Sequence, residues 1–268
     1  LGERIANTLT QHFSFGYVGI IAGMVTVGIV LAFLMPSSMG RIVLLAPIAM
    51  ALAARFGPVI EHPYVESLAD HPGIIEIVKE AGEQHNWGGN WHADMTFNEV
   101  PPKASLLYGR EIPDTDNNTY FANMYAAYDS LPVDLKGQIN GRIAIHDASH
   151  NSAGMTRLGY NEITDVRETP GARHPLVRTH QQTGRKCLFL GRRPRAYIIG
   201  LELEESEALL DTLWEYATQS EVICYQEWRA GDLIMWDNAS VLHRRDAFDK
   251  HARRTLHRTQ IKGTEYIN

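Results

Sequence analysis

Two kinds of hydrophobic pattern divide the chain. Residues 17 to 35, YVGIIAGMVTVGIVLAFLM, run for nineteen residues without a charge. An apolar run of about 18 residues or more has the length of a membrane-spanning helix, not the alternation of a barrel strand. PSSMGR breaks the run, and IVLLAPIAMALAA resumes it. After Phe56-Gly57 the apolar runs shorten to strand length: IIEIV (74–78), ASLLYGR (104–110), TYFAN (119–123), GRIAIHD (141–147), CLFL (187–190), AYIIG (196–200), VICYQEW (222–228), DLIMW (232–236) and TLHRTQI (255–261). Gly, Pro, Asn and Asp punctuate them. Helical spacing predicts two helices, about 124–139, interrupted at Pro132, and about 204–219, with Leu209, Leu210, Leu213 and Ala217 on one face. Residues 148–175 have no clean period and read as a long loop, often a functional one. The pattern predicts a mainly β fold with flanking helices, a sandwich or jelly roll, preceded by an apolar helical segment.

Composition narrows the class. The 268 residues, 44% hydrophobic and 21% charged, suffice for one large domain, or one domain with an appendage. A net charge of −6 argues against a nucleic-acid partner. From Val241 onward seven Lys/Arg stand against three Asp/Glu, a basic end that suits a small anionic ligand. Two cysteines, Cys187 and Cys224, make neither a disulfide framework nor a CxxC metal site, and read as reduced thiols of a cytoplasmic protein. The chain starts at Leu1, which suggests a fragment or a processed product, and Glu3 and Arg4 with several polar residues speak against a signal peptide.

NWHADMTF (90–97) carries the first chemistry. Trp91, Met95 and Phe97 mark it for a core, where a carboxylate is costly unless it is paired or binds a metal. Read as a strand, it projects His92 and Asp94 from one face and Trp91, Ala93 and Met95 from the other. Two such ligands ask for a third. Two histidines and a carboxylate on one side of an octahedron make the arrangement of non-heme Fe(II) oxygenases. His243, beyond a Trp-Asp-Asn turn, and His146, in IAIHDASH, both end apolar strands, and spacing leaves both open. In ARRTLHRTQ, Arg254 and Arg258 share a strand face about 13 Å apart. They read as two anion-holding groups, or as a solvated basic edge.

In order and spacing, NWHADMTF, PPKASLLYGREIP, TYFANMYAAYDSLP, HPLVRTHQQTGRKCLFL, GDLIMWDN and HRRDAF with RRTLHRTQIKG resemble the taurine dioxygenase and 2,4-dichlorophenoxyacetate dioxygenase family over about residues 50–263. The resemblance implies a double-stranded β-helix using Fe(II), 2-oxoglutarate and O2. It implies His92, Asp94 and His243 as iron ligands, Arg254 on the distal carboxylate of 2-oxoglutarate with Thr119 beside it, and Arg258 and His62 toward the primary substrate. Three positions depart from the family pattern: DNNT precedes the cosubstrate threonine where the family has Gly-Gly-Asp-Thr, Val65 replaces a tyrosine, and Gly88 replaces an asparagine. These point away from taurine itself. The implied reaction couples decarboxylation of 2-oxoglutarate to succinate and CO2 with hydroxylation of a small anionic organic substrate: a sulfonate, a sulfate ester, or an aryloxy or alkyl carboxylate. Asp94 speaks against the halogenases of this fold, in which a small residue replaces the carboxylate.

LAFLMPSSMGRIVLLAPIAMALAARFG resembles a helix pair of sodium-coupled sulfate and dicarboxylate transporters. The expected organisation is therefore a transporter-like segment at 1–48, able to associate with membranes, joined to a dioxygenase domain at 49–268 that forms a homo-oligomer. The alternatives are a buried core hairpin at the N-terminus, or an impaired fusion product without catalysis.

Overall fold

The structure is a computed structural model that describes residues 53–115 and 117–264. The expected apolar helical segment at 1–48 lies outside the described residues. Among the described residues, no helix is long and apolar enough to cross a membrane.

Among the described residues, thirteen strands and three α-helices follow one another from Val59 to Ile261. The larger sheet has five strands, in the order β1 (Val59–Ile60), β13 (Arg254–Ile261), β3 (Ala104–Glu111), β11 (Leu233–Asp237), with β2 (Ile75–Lys79) also paired to β13. A three-stranded sheet places β4 (Thr119–Asn123) between β10 (Ile223–Gln226) and β12 (Val241–Arg245). All pairings in both sheets are antiparallel. The remaining strands form a small sheet of β6 (Arg173–Pro175), β5 (Ile143–Ile145) and β9 (Tyr197–Ile198), and a hairpin of β7 (Val177–Thr179) and β8 (Lys186–Leu188).

The alternation of side chains assigns each sheet its inner face. Leu107, Trp228, Trp236 and Leu256 form a buried cluster joined by Ile77, Phe121, Ile234 and Val241, so the two main sheets face each other across a shared core. On the opposite face of the smaller sheet, Ala122 and Leu242 join a second core with Ala127, Leu209, Leu210, Leu213 and Ala217. That core holds the helices α1 (Met124–Ser130) and α3 (Leu203–Ala217) against the outside of the barrel. The fold is mainly β with flanking helices, and its facing sheets are those of a jelly roll.

The helices begin and end where the sequence says. Asn123 closes β4 and caps α1, its side-chain oxygen accepting from the backbone N–H groups of Tyr125 and Ala126 at 3.0 and 3.2 Å. Pro132 holds Leu131 in an extended conformation, which ends α1 before α2 (Val133–Ile139) begins. Residues 148–175 have one 3-10 turn, Val166–Glu168, before β6.

One local expectation is corrected. NWHADMTF is not a strand: His92 makes an isolated bridge with His243, and Asp94 to Phe97 form a turn. Of the apolar residues that suggested a strand, Met95 is buried and Trp91 and Phe97 are half-buried, and a compact turn places them, with Met95 in the left-handed region at φ 49°.

Leu213 is fully buried between α3 and the sheet. Leu213→Ala is expected to lower unfolding free energy by about 2–5 kcal/mol, read from the urea midpoint. Leu158→Ala, at an exposed position, is expected to stay within about 0.5 kcal/mol.

Candidate metal centre

The backbone brings two histidines side by side. His92 N–H donates to His243 C=O at 3.0 Å, and His243 N–H to His92 C=O at 2.8 Å. Residues that exchange both hydrogen bonds project to the same side of an antiparallel pair, and the two imidazole centroids lie 4.3 Å apart. The turn that follows returns Asp94 toward them. Asp94 Oδ1 lies 3.9 Å from His92 Nε2 and 3.8 Å from His243 Nε2. One ligand atom from each of the three residues falls within 4.8 Å of the others.

Asp94 is clamped from several sides. Its backbone N–H donates to Asn238 Oδ1 at 2.7 Å, and Asn238 Nδ2 donates to the Asp94 and Pro102 carbonyls at 2.9 and 3.0 Å. The buried Ser105 hydroxyl donates to Asp94 Oδ2 at 2.6 Å and accepts from Gln260 Nε2 at 3.1 Å. Arg258 Nη1 approaches Oδ1 at 3.4 Å. Oδ2 is thus held by a hydroxyl, while Oδ1 faces the imidazoles.

The protonation states follow from these surroundings. Burial pushes the Asp94 carboxyl up, but Arg258, His243, His92 and the Ser105 hydrogen bond together hold it below the usual carboxylate range. Burial depresses His92, and it brings His243 down to about 3 with help from the charge of His92. His92 Nδ1 meets Asn90 C=O at 2.7 Å, so it carries the proton and Nε2 keeps its lone pair. Two neutral imidazoles and an ionised carboxylate are the donor set a divalent metal requires, and the residues present fit such an ion.

A second site lies along the same inner surface. Thr119 precedes Phe121 by two on β4, and the Phe121 ring stacks over His243 at 6.3 Å. The Trp228 indole N–H donates to Thr119 Oγ1 at 2.8 Å. Arg254, four residues before Arg258 on β13, lies with its guanidinium 5.4 Å from the Trp228 ring and 5.7 Å from Phe248. It is 3% exposed, and its Nε and Nη2 have no hydrogen-bond partner among the described residues. Burial and the charge of Arg245 lower its pKa to about 9. A buried guanidinium without a counter-charge is the mark of an anion site. His62 is near enough to Arg258 and Asp94 to feel both charges, and burial, then Arg258, lower it to about 4.

The structure therefore brings together His92, Asp94, His243 and Arg258, and pairs Thr119 with Arg254 through Trp228. His146 is elsewhere: it is buried against His174 at 4.8 Å and Phe189 at 5.3 Å. Asn238, Ser105 and Trp228 were not foreseen. The Trp-Asp-Asn turn was visible in the sequence, but nothing in spacing says that its asparagine reaches back to Asp94.

Comparison with known proteins then places the chain. Residues 48–260 match the model of the Taurine catabolism dioxygenase TauD, TfdA family. The chain belongs to that family. It is 39% identical over 168 residues to the alpha-ketoglutarate-dependent 2,4-dichlorophenoxyacetate dioxygenase of Cupriavidus pinatubonensis, covering 63% of this chain and 58% of that protein. It thus spans less than two thirds of that relative. It is 32% identical to the (S)-phenoxypropionate/alpha-ketoglutarate-dioxygenase of Sphingobium herbicidovorans, over 80% of this chain and 77% of the other. A crystal structure of AAD-2 in complex with Mn(II) and N-oxalylglycine superposes with a TM-score of 0.65 at 33% identity, covering 82% of this chain and 78% of that one.

His146 offers a test of the electrostatics away from the metal ligands. Burial, then the facing His174 and Arg192, hold it well below 6.5, and neither ring nitrogen has a hydrogen-bond partner among the described residues. The unfolded chain therefore takes up a proton below about pH 6.5 that the folded chain refuses, so stability is full above that pH and falls as pH drops. His146→Phe is expected to cost under about 1 kcal/mol at pH 7.5, because it removes unsatisfied polar atoms. It should also make the decline of Tm between pH 6.5 and 5 shallower. Thermal unfolding across a pH series reads both effects.

Proposed function

We propose that the chain is an Fe(II)- and 2-oxoglutarate-dependent dioxygenase that hydroxylates a small anionic organic substrate, and that its catalytic domain occupies about residues 49–268. The carrying observation is the convergence of two neutral imidazoles and an ionised carboxylate, with a buried, unpaired arginine, Arg254, on the strand that also carries Arg258. The family match over residues 48–260 supports the same reading and the domain limits, and the names of the phenoxyalkanoate-oxidising relatives support the substrate class.

In this reading His92, Asp94 and His243 hold iron. Iron bound with 2-oxoglutarate and O2 supplies the oxidative decarboxylation to succinate and CO2 and the attack on the substrate C–H bond. The chain's residues bind, orient and exclude water. Arg254 takes the distal carboxylate of 2-oxoglutarate. The Trp228 indole already donates to Thr119 Oγ1, which leaves the threonine's own proton free to donate to that carboxylate. Phe121 and Trp236, the latter with its ring 4.7 Å from His243, keep the inner side of the centre dry. Arg258 and His62 face the primary substrate. His62 is neutral above about pH 4, so it acts as a hydrogen-bonding group, not as a cation.

Asp94→Ala is expected to abolish iron-dependent succinate formation while leaving the cooperative unfolding transition in place. Unchanged 2-oxoglutarate decarboxylation in that variant rules out the ligand assignment. The two arginines are expected to separate kinetically: Arg254→Ala raises the KM for 2-oxoglutarate, and Arg258→Ala mainly that for the primary substrate. Losing the partner of a buried charge costs on the order of 2–5 kcal/mol, hence tenfold or more in KM. If both variants move only the cosubstrate KM, the division of roles is wrong.

A further inference from the structure

The arginine assigned to the cosubstrate has a second cation beside it. In the pairing of β2 with β13, Lys79 stands directly opposite Arg254. Opposed residues of an antiparallel pair project to the same side, where like charges repel. Both are buried, Lys79 at 7% and Arg254 at 3% exposed. A buried ammonium needs acceptors for its three N–H groups, and Lys79 finds them in one place. Its Nζ donates to the carbonyls of Ala252, Lys250 and Asp249 at 3.0, 3.1 and 3.2 Å, with Glu80 C=O at a longer 3.4 Å.

The first three carbonyls belong to the connection between β12, which carries His243, and β13, which begins at Arg254. In that connection Ala247, Asp249, Lys250 and His251 are exposed, while Phe248 is half-buried. The Gly82 N–H adds a bond to Lys250 C=O at 2.7 Å. Phe248 turns in among cations. Its ring centroid lies 4.8 Å from Lys79 Nζ, 5.0 Å from the Arg245 guanidinium and 5.7 Å from that of Arg254. The Trp228 ring stands 5.4 Å from the same Arg254 guanidinium. Arg254 Nε and Nη2 have no hydrogen-bond partner among the described residues, so the two rings hold the guanidinium in place of hydrogen bonds. The Lys79 amine thus grips both the backbone that presents Phe248 and the ring itself.

We propose that Lys79 is a positioning residue for the cosubstrate: it latches the connection 246–253 so that Phe248 stays against the Arg254 guanidinium, which is then held ready for the distal carboxylate. The inference rests on the reading of Arg254 as the group that binds 2-oxoglutarate. Lys79 acts through Phe248. Its ammonium is already satisfied by carbonyls, which leaves Arg254 to take the anion.

The test is binding, without turnover. The full chain loaded with Mn(II) is titrated calorimetrically with N-oxalylglycine. Lys79→Met keeps the apolar stem and removes the donors, and Phe248→Ala removes the ring. Each is expected to weaken N-oxalylglycine binding by about tenfold through lost preorganisation, with Mn(II) affinity unchanged. The double variant is expected to bind no more weakly than the weaker single variant, because both changes break the same arrangement. A charge acting directly on the anion, or an unrelated loss of stability, gives effects that add. Undiminished binding in folded Lys79→Met overturns the proposal, as do additive losses. If Lys79→Met does not fold, Lys79→Gln, which keeps an amide donor for the carbonyls, takes its place, and undiminished binding by Phe248→Ala overturns the proposal by itself. Wild type that fails to bind N-oxalylglycine with Mn(II), or Arg254→Ala that binds it as the wild type does, overturns the reading of Arg254 instead.

Discussion

The centre depends on one buried amide. Asn238 both accepts from the Asp94 N–H and donates to the Asp94 C=O. Those two bonds hold a short turn whose next residue, Met95, sits at a positive φ that a β-free side chain would favour and methionine does not. Without the clamp, the chain after the His92 bridge has no ladder to follow, and Asp94 has no fixed direction. With it, a carboxylate that burial alone would neutralise is placed where the Arg258 guanidinium and the Ser105 hydroxyl keep it ionised.

The barrel supplies the rest by strand register. β12 brings His243 opposite Phe121 on β4 and gives His92 a backbone partner. β13 carries Arg254 and Arg258 on one face, separated by Leu256, which belongs to the inter-sheet core. β3 carries Ser105 opposite Gln260 of β13, so the hydroxyl that grips Asp94 is itself fixed by the ladder. The polar groups of the centre are therefore displayed by rigid strands, with Trp228, Trp236 and Phe121 filling the space behind them. The loop of residues 147–157 is held by hydrogen bonds within itself, backbone to backbone and between side chains, not by one of the sheets.

Much of this could be read along the chain. Strand-length runs separated by turn residues marked most of the main sheets, and the buried leucines of α3 marked its inner face. His92 and Asp94 were paired correctly for a partly wrong reason: they share a face through a bridge and a turn, not through strand alternation. A turn packed into a core has the same apolar residues as a strand, and hydrophobicity does not distinguish them. The choice between His243 and His146 was equally hidden. Both end apolar strands, and only tertiary placement shows that His146 is enclosed by His174 and Phe189 while His243 faces Asp94. Asn238 and Trp228 act across more than a hundred residues of chain, and Ser105 meets Asp94 only because the turn folds back against β3, which spacing does not show.

The most direct measurement of the central claim is metal binding by the protein itself. Mn(II) added to the full chain and followed by electron paramagnetic resonance reports free ion as it disappears. The account predicts one tight site in the wild type, lost in His243→Ala and weakened in Asn238→Ala, although that residue touches no metal. Equal Mn(II) binding by the wild type and His243→Ala would contradict it.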